Sequence, residues 1–228
     1  EYLDTNIQGT RNVLDACKEY KKKTVFASSS EKYGSASYTP MDEAHPCGAK
    51  SPYAVSKLAA DKLCGCYHAM YGVEVIRPCV FNTFGPFQRD DMYGGVTARF
   101  VKHALSGLPL PIYGDGEQKR DFLFVDDAVR AYYMAREWPA GEPINVGTGR
   151  SVTINYLASI VTKYAQELTG NRVKIEYTGY YRPNEVIELR ANPAIAKELG
   201  WEPQVTLEEG VKRYIEWEYN RGNCRDRL

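Results

Sequence analysis

Tyr53-x-x-x-Lys57 is the spacing in this sequence best suited to chemistry. Residues four apart share one face of a helix. An ammonium held there favours the tyrosinate and lowers the tyrosine pKa. The pair follows a serine run, Ser28, Ser29 and Ser30, at a strand end. A serine hydroxyl across the cleft can share a hydrogen bond with a substrate oxygen. Together these groups make a base able to take an alcohol proton while a hydride leaves the same carbon. That is nicotinamide-dependent alcohol oxidation. The chain has 18 tyrosines, so a chance match on a solvated helix face is the plain alternative. The upstream serines and the strand–loop–helix context favour the chemical reading.

The elements that hold these residues alternate between helix and strand, which predicts an α/β fold with a mostly parallel sheet. A helical stripe near the start precedes a buried strand over Lys23–Ser28. Glu31–Ser51 reads as a long loop. The Tyr53 helix runs to Tyr71, with Pro52 at its start and Gly72 just past its end. Val73–Arg77 is the next strand, closed by Pro78. Further on, helices are expected over 96–106, 154–168, 193–199 and 207–219, the last two short. Strands are expected over 110–113, 122–125, 144–146 and 173–177, and Asp126 is placed as the cap of a helix ending at Glu137. The texture becomes loop-rich after residue 80. This divides the chain into residues 1–80, a partial dinucleotide-binding domain, and 81–228, mainly a substrate part with segments returning to the first sheet.

Composition sets the outer bounds. The 228 residues carry 29 Lys+Arg against 29 Asp+Glu, with 43% hydrophobic residues. Zero net charge gives no bulk attraction to nucleic acid or an anionic membrane. No apolar run approaches the ~20 residues that span a bilayer. Six cysteines in a chain this long are not a disulfide framework, and with the three histidines they form no metal-ligand spacing. Free thiols in a reducing cytoplasm are the expectation, with no metal site.

The sequence resembles the extended short-chain dehydrogenase/reductases that act on nucleotide sugars. The matching motifs run in order along nearly the whole chain: A-S-S-S-E-K-Y-G (27–34), S-P-Y-A-V-S-K (51–57), R-P-C-V-F-N-T-F-G-P (77–86), Y-G-D-G-E-Q-K-R-D-F (113–122), N-V-G-T-G (145–149) and R-P-N-E (182–185). The resemblance implies a Rossmann-like sheet, NAD as cofactor, a nucleotide-diphosphate sugar as substrate and a homodimer built on the Tyr53–Tyr71 helix. It makes Tyr53 the base and Lys57 the holder of the cofactor ribose. The catalytic hydroxyl falls on Ser29 by its spacing to Tyr33, with Ser30 as the alternative. Glu31 then matches the acid that removes the sugar C5 proton in 4,6-dehydratases, and Ser30 the residue that helps expel the C6 hydroxyl. A similar triplet occurs in decarboxylases, and a surface loop glutamate beside Lys32 is the plain alternative.

Other positions carry over one by one. Asn6 matches an asparagine near cofactor and active site, or is a polar helix residue. Pro78 matches a backbone contact to the nicotinamide amide, or is a strand terminator. Asn82 matches a sugar or phosphate contact, or is a turn residue. Arg120 and Arg182 match the diphosphate clamp, a task that suits a guanidinium fork, or form isolated surface salt bridges. Tyr113 matches a position beside the nucleobase, against ordinary core packing.

Two departures stand out. Phe87 follows F-G-P where many members have Arg, with Arg89 two positions on, which weakens a decarboxylase reading. The family's opening strand and G-x-x-G-x-x-G turn are absent. Roughly 80 residues would precede Glu1, scaled from βαβ units of ~30 residues. A sheet without those strands is expected to expose an open edge and to need its missing part or a partner. The readings are therefore an epimerase/dehydratase acting through C4 oxidation, with Glu31 tilting towards 4,6-dehydration; a 4-epimerase; or a non-catalytic nucleotide-sugar binder.

Overall fold

The computed structural model describes residues 1–89, 94–181 and 185–225, the last three as helical backbone. A π-helical segment, Leu3–Gln8, runs directly into α1, Gly9–Tyr20. The expected first strand is broken into β1, Thr24–Val25, and β2, Ser28–Ser29. Between them the Ser28 N–H turns back to the Phe26 carbonyl at 2.9 Å. A 3-10 turn, Ser30–Tyr33, follows. The Tyr53 helix is α2, Pro52–Tyr71. Ser51 Oγ accepts the Ala54 N–H at its start, and Gly72 (φ 67) ends it.

β3, Val75–Val80, runs through Pro78 instead of stopping there. The reason is register. Even-numbered residues of β3 face β1, as the Phe26 N–H to Ile76 carbonyl bond of 2.8 Å shows. Pro78 therefore turns its missing N–H towards the Phe26 carbonyl, which accepts the Ser28 N–H instead. β4 is Thr83–Phe84, α3 Val96–Leu105, β5 Leu110–Ile112, β6 Lys119–Arg120 and β7 Leu123–Phe124. α4 spans Val125–Met134, so Asp126 lies in its first turn and Phe124, with no side-chain cap bond, holds the cap position. β8 is Pro143–Val146, β9 Val152–Thr153, α5 Ile154–Thr169, β10 Ile175–Tyr177 and β11 Glu188–Leu189. α6 is Ala194–Glu198, and α7, Leu207–Arg225, is longer than its sequence pattern suggested.

The main sheet is parallel: β3 lies between β1/β2 on one side and β8 on the other. β1 and β2 have no second neighbour among the described residues. Val75 packs with Leu14 and Cys64 of α1 and α2, and Ile76 with Ala128 and Ala131 of α4. Helices thus cover both faces, as a parallel sheet requires. A second core joins α3, α5 and α7 around Phe100, Leu157, Val161 and Tyr214. Small parallel ladders (β5 with β10, β6 with β11, β4 with β7) join the later segments. No helix among the described residues is long and apolar enough to cross a membrane.

Candidate active site

Tyr53 enters on the first turn of α2, and Ser29 and Glu31 enter from the carboxyl end of β2 and the turn after it. Ser29 caps that turn by accepting the Glu31 N–H at 3.3 Å. Burial pushes the Tyr53 pKa up, the neighbouring Ser29 hydroxyl pulls it down, and Glu31 pushes it up again. The three predicted groups are therefore gathered in one place.

Lys57 behaves differently from the sequence expectation. Its ammonium donates to the Ala27 carbonyl at 3.1 Å, and burial pulls its pKa down. It is not among the causes that set the Tyr53 pKa, which lies above its ordinary value rather than below it. The expected drop is absent because burial, the largest influence on Tyr53, outweighs the Ser29 hydrogen bond.

Asn6 sits in the π-helical segment and donates to Ser56 Oγ at 2.9 Å. Ser56 in turn donates to the Tyr53 carbonyl at 2.8 Å. Asn6 thus ties the first turn of α2 to the preceding helix. Such π-distortions recur at functional sites. Pro78 is buried in β3.

Beside this group lies a cavity of about 460 Å³. Glu31, Asn82, Tyr113 and Arg120 line it, all four singled out by the sequence. Ser30, 3% exposed, does not reach its wall. Arg182 lies outside the described residues. Arg120 Nη2 donates to Glu185 Oε1 at 2.6 Å. Burial raises the Glu31 pKa, Arg120 lowers it and Glu185 raises it. These three charges therefore act on one another along the cavity wall. Asn82 Nδ2 donates to the Asp121 carbonyl at 3.1 Å, which sets its amide at the wall.

The opposite wall is the start of α3, with Gly94, Gly95, Val96 and Thr97. Among the described residues no side chain caps this helix. Its first N–H groups point a partial positive charge towards the cavity. Arg99, in the first turns of α3, donates to the Tyr113 hydroxyl at 3.1 Å. Sequence reading missed Arg99, Glu185 and Ser56. Arg99 carried a usable signal: a cation near a helix N-terminus opposes the helix dipole unless an anion is bound there.

Asp121, fully buried, anchors the floor of the site. Its carboxylate accepts from Thr148 N and Oγ1, Gly149 N and Ala191 N at 2.6–3.1 Å. This links the strand carrying Arg120 to the N-V-G-T-G loop.

The arrangement places the Tyr53 hydroxyl near the Glu31 carboxylate, next to a cavity lined by Lys50, Arg99, Arg120 and the start of α3. Known proteins resemble the chain in sequence and fold. The GDP-mannose 4,6 dehydratase family matches residues 1–214. A putative UDP-glucose 4-epimerase of Methanocaldococcus jannaschii is 35% identical over 221 residues, covering 95% of this chain and 70% of the relative. The structure of a Thermotoga maritima UDP-glucose 4-epimerase with UDP-glucose superposes with TM-score 0.88 at 34% identity, covering 97% of this chain and 71% of that one. A Bacillus anthracis dTDP-glucose 4,6-dehydratase in complex with NAD gives TM-score 0.86 at 29% identity, covering 97% of this chain and 69% of that one. The parallel sheet agrees with these matches, and the chain belongs to the nucleotide-sugar epimerase/dehydratase family of the extended short-chain dehydrogenase/reductases.

Proposed function

We propose that this protein converts a nucleotide-diphosphate sugar by oxidation at C4, followed by loss of water across C5 and C6. The carrying observation is that Glu31 lines the substrate-sized cavity and acts electrostatically on Tyr53. The donor set fits the nicotinamide-ribose end of NAD. Tyr53 and Lys57 offer a hydroxyl and an ammonium near the carboxyl ends of parallel strands, where such folds bind nucleotides. No residue here is assigned to the pyrophosphate end, since the sequence holds no G-x-x-G-x-x-G. When bound, NAD would supply the hydride acceptor for C4 and, once water has left, the hydride donor to C6, so that the net change is the loss of one water.

The chain's own residues divide the remaining work. Tyr53 takes the proton of the C4 hydroxyl, and Ser29 shares a hydrogen bond with that oxygen. Lys57 holds the ribose diol, and Asn6 and Pro78 border the nicotinamide. Once C4 is a ketone, the C5 proton is acidic, and Glu31 removes it. The resemblance gives Ser30 the departure of the C6 hydroxyl as water, a role its buried side chain meets only by turning towards the cavity. The diphosphate lies against the start of α3, held by Arg120 and Arg182, with Arg99 adding charge. Asn82 contacts sugar or phosphate, and Tyr113 flanks the base. With these roles goes a division into a cofactor part (1–80, joined by β8) and a mainly sugar-nucleotide part (81–228); the family resemblance supports a homodimer through α2.

The second reading is 4-epimerisation, in which Glu31 is incidental. It is favoured by the epimerases among the similar proteins. Glu31→Gln separates the two. Dehydration requires that C4 oxidation persist while water loss stops. Unchanged water loss in that variant refutes the role of Glu31.

A further inference from the structure

A buried ionic cluster lies directly behind the Glu31 turn. Lys32, Asp61 and Arg77 are 2%, 2% and 4% exposed. Lys32 Nζ donates to Asp61 Oδ2 at 3.3 Å and to Ser28 Oγ at 3.4 Å. Arg77 Nη1 donates to the same carboxylate oxygen at 3.2 Å and to the Asp61 carbonyl at 2.9 Å. Arg77 Nη2 also reaches the Gly141 carbonyl. None of the three charged residues lines the cavity.

Their placement is what matters. Tyr53, Lys57 and Asp61 lie at i, i+4 and i+8 on α2, one stripe along one face. Each meets the segment 27–32 in turn: Tyr53 lies beside Ser29, Lys57 bonds the Ala27 carbonyl, and Asp61 pairs with Lys32. Adjacent residues of the 3-10 turn face opposite ways, with Glu31 on the cavity and Lys32 in the core. The Gly48 N–H further straps this turn by bonding to the Lys32 and Tyr33 carbonyls, both at 3.1 Å. A buried ammonium keeps its charge only with partners, so its position is tightly defined by them.

We propose that Lys32 is a positioning residue. Its buried ammonium ties the Ser28–Glu31 segment to Asp61 on α2, and so fixes Ser29 and Glu31 opposite Tyr53. The proposal rests on reading Tyr53 and Ser29 as the C4 machinery.

The test is Lys32→Met, which leaves Asp61 paired with Arg77. Turnover of a nucleotide sugar with NAD is measured alongside amide hydrogen exchange. The expected kcat falls about 10- to 100-fold with KM within about twofold, since a displacement near 1 Å costs on that order. Exchange at residues 31–34 speeds up, while amides of α5 and α7 stay protected. Ser28→Ala, which removes one partner without changing charge, moves the same readouts less far. Unchanged kcat and exchange in Lys32→Met overturn the proposal. Loss of protection throughout the molecule in both variants, with kcat and KM changing together, also overturns it, since that marks a purely structural role. If the unsubstituted protein turns over no nucleotide sugar, the proposed function has failed, and exchange at 31–34 alone decides whether Lys32 holds the turn.

Discussion

Burial holds the Tyr53 hydroxyl protonated, with Ser29 pulling against it. Tyr53→Phe keeps the ring and removes the base. It should abolish formation of reduced NAD from a nucleotide sugar while nucleotide-sugar affinity stays near the original, measured by calorimetry. Glu31 acts as a base only when ionised, and burial first of all raises its pKa above 4.5. Water loss should therefore decline with falling pH at a point above the ordinary glutamate range. A pH–rate profile checks this. Arg120 lowers the Glu31 pKa, so Arg120→Ala should move that decline to still higher pH. The same variant should raise KM about 10- to 100-fold, the equivalent of a charge-assisted contact of about 1.5–3 kcal/mol. Among single residues, Glu31, Asn82, Tyr113 and Arg120 could be read from motifs, and all line the cavity. The carbonyl that engages Lys57 and the Glu185 that engages Arg120 come from tertiary approach, which no local spacing encodes.

At the scale of elements, α2 was the most legible because both its ends carry local chemistry: Ser51 and Pro52 at the start, Gly72 at the finish. Ser51→Ala removes the bond to the Ala54 N–H and should cost about 1 kcal/mol of stability, read from denaturant unfolding. Pro78 misled, because its effect depends on which neighbour its missing N–H faces, and that is fixed by the pairing of β3 with β1 and β2. Asp126 misled for a similar reason. Its type suits a cap, but β7 feeds the chain into α4 two positions early, so it serves the helix dipole instead. The 3-10 turn that aims Glu31 and Lys32 in opposite directions has no periodic signature at all.

On the scale of the whole molecule, the parallel sheet with helices on both faces and the second helical core put the cavity beside the carboxyl ends of β2 and β3. Alternating patterns made the layers legible. The closing of β6 against both β9 and β11, which brings Arg120 to the wall, was not. β1 and β2 present one unpaired side among the described residues. Open edges recruit other strands. The 228-residue chain by itself should self-associate in sedimentation, and a monomer with a cooperative melt would contradict that. The central claim concerns the reaction, and mass spectrometry tests it most directly. The protein is incubated with NAD and a panel of UDP-, GDP-, CDP- and dTDP-sugars. The account predicts a product lighter by one water, absent with Glu31→Gln. An isomer of unchanged mass, formed equally by Glu31→Gln, would contradict it.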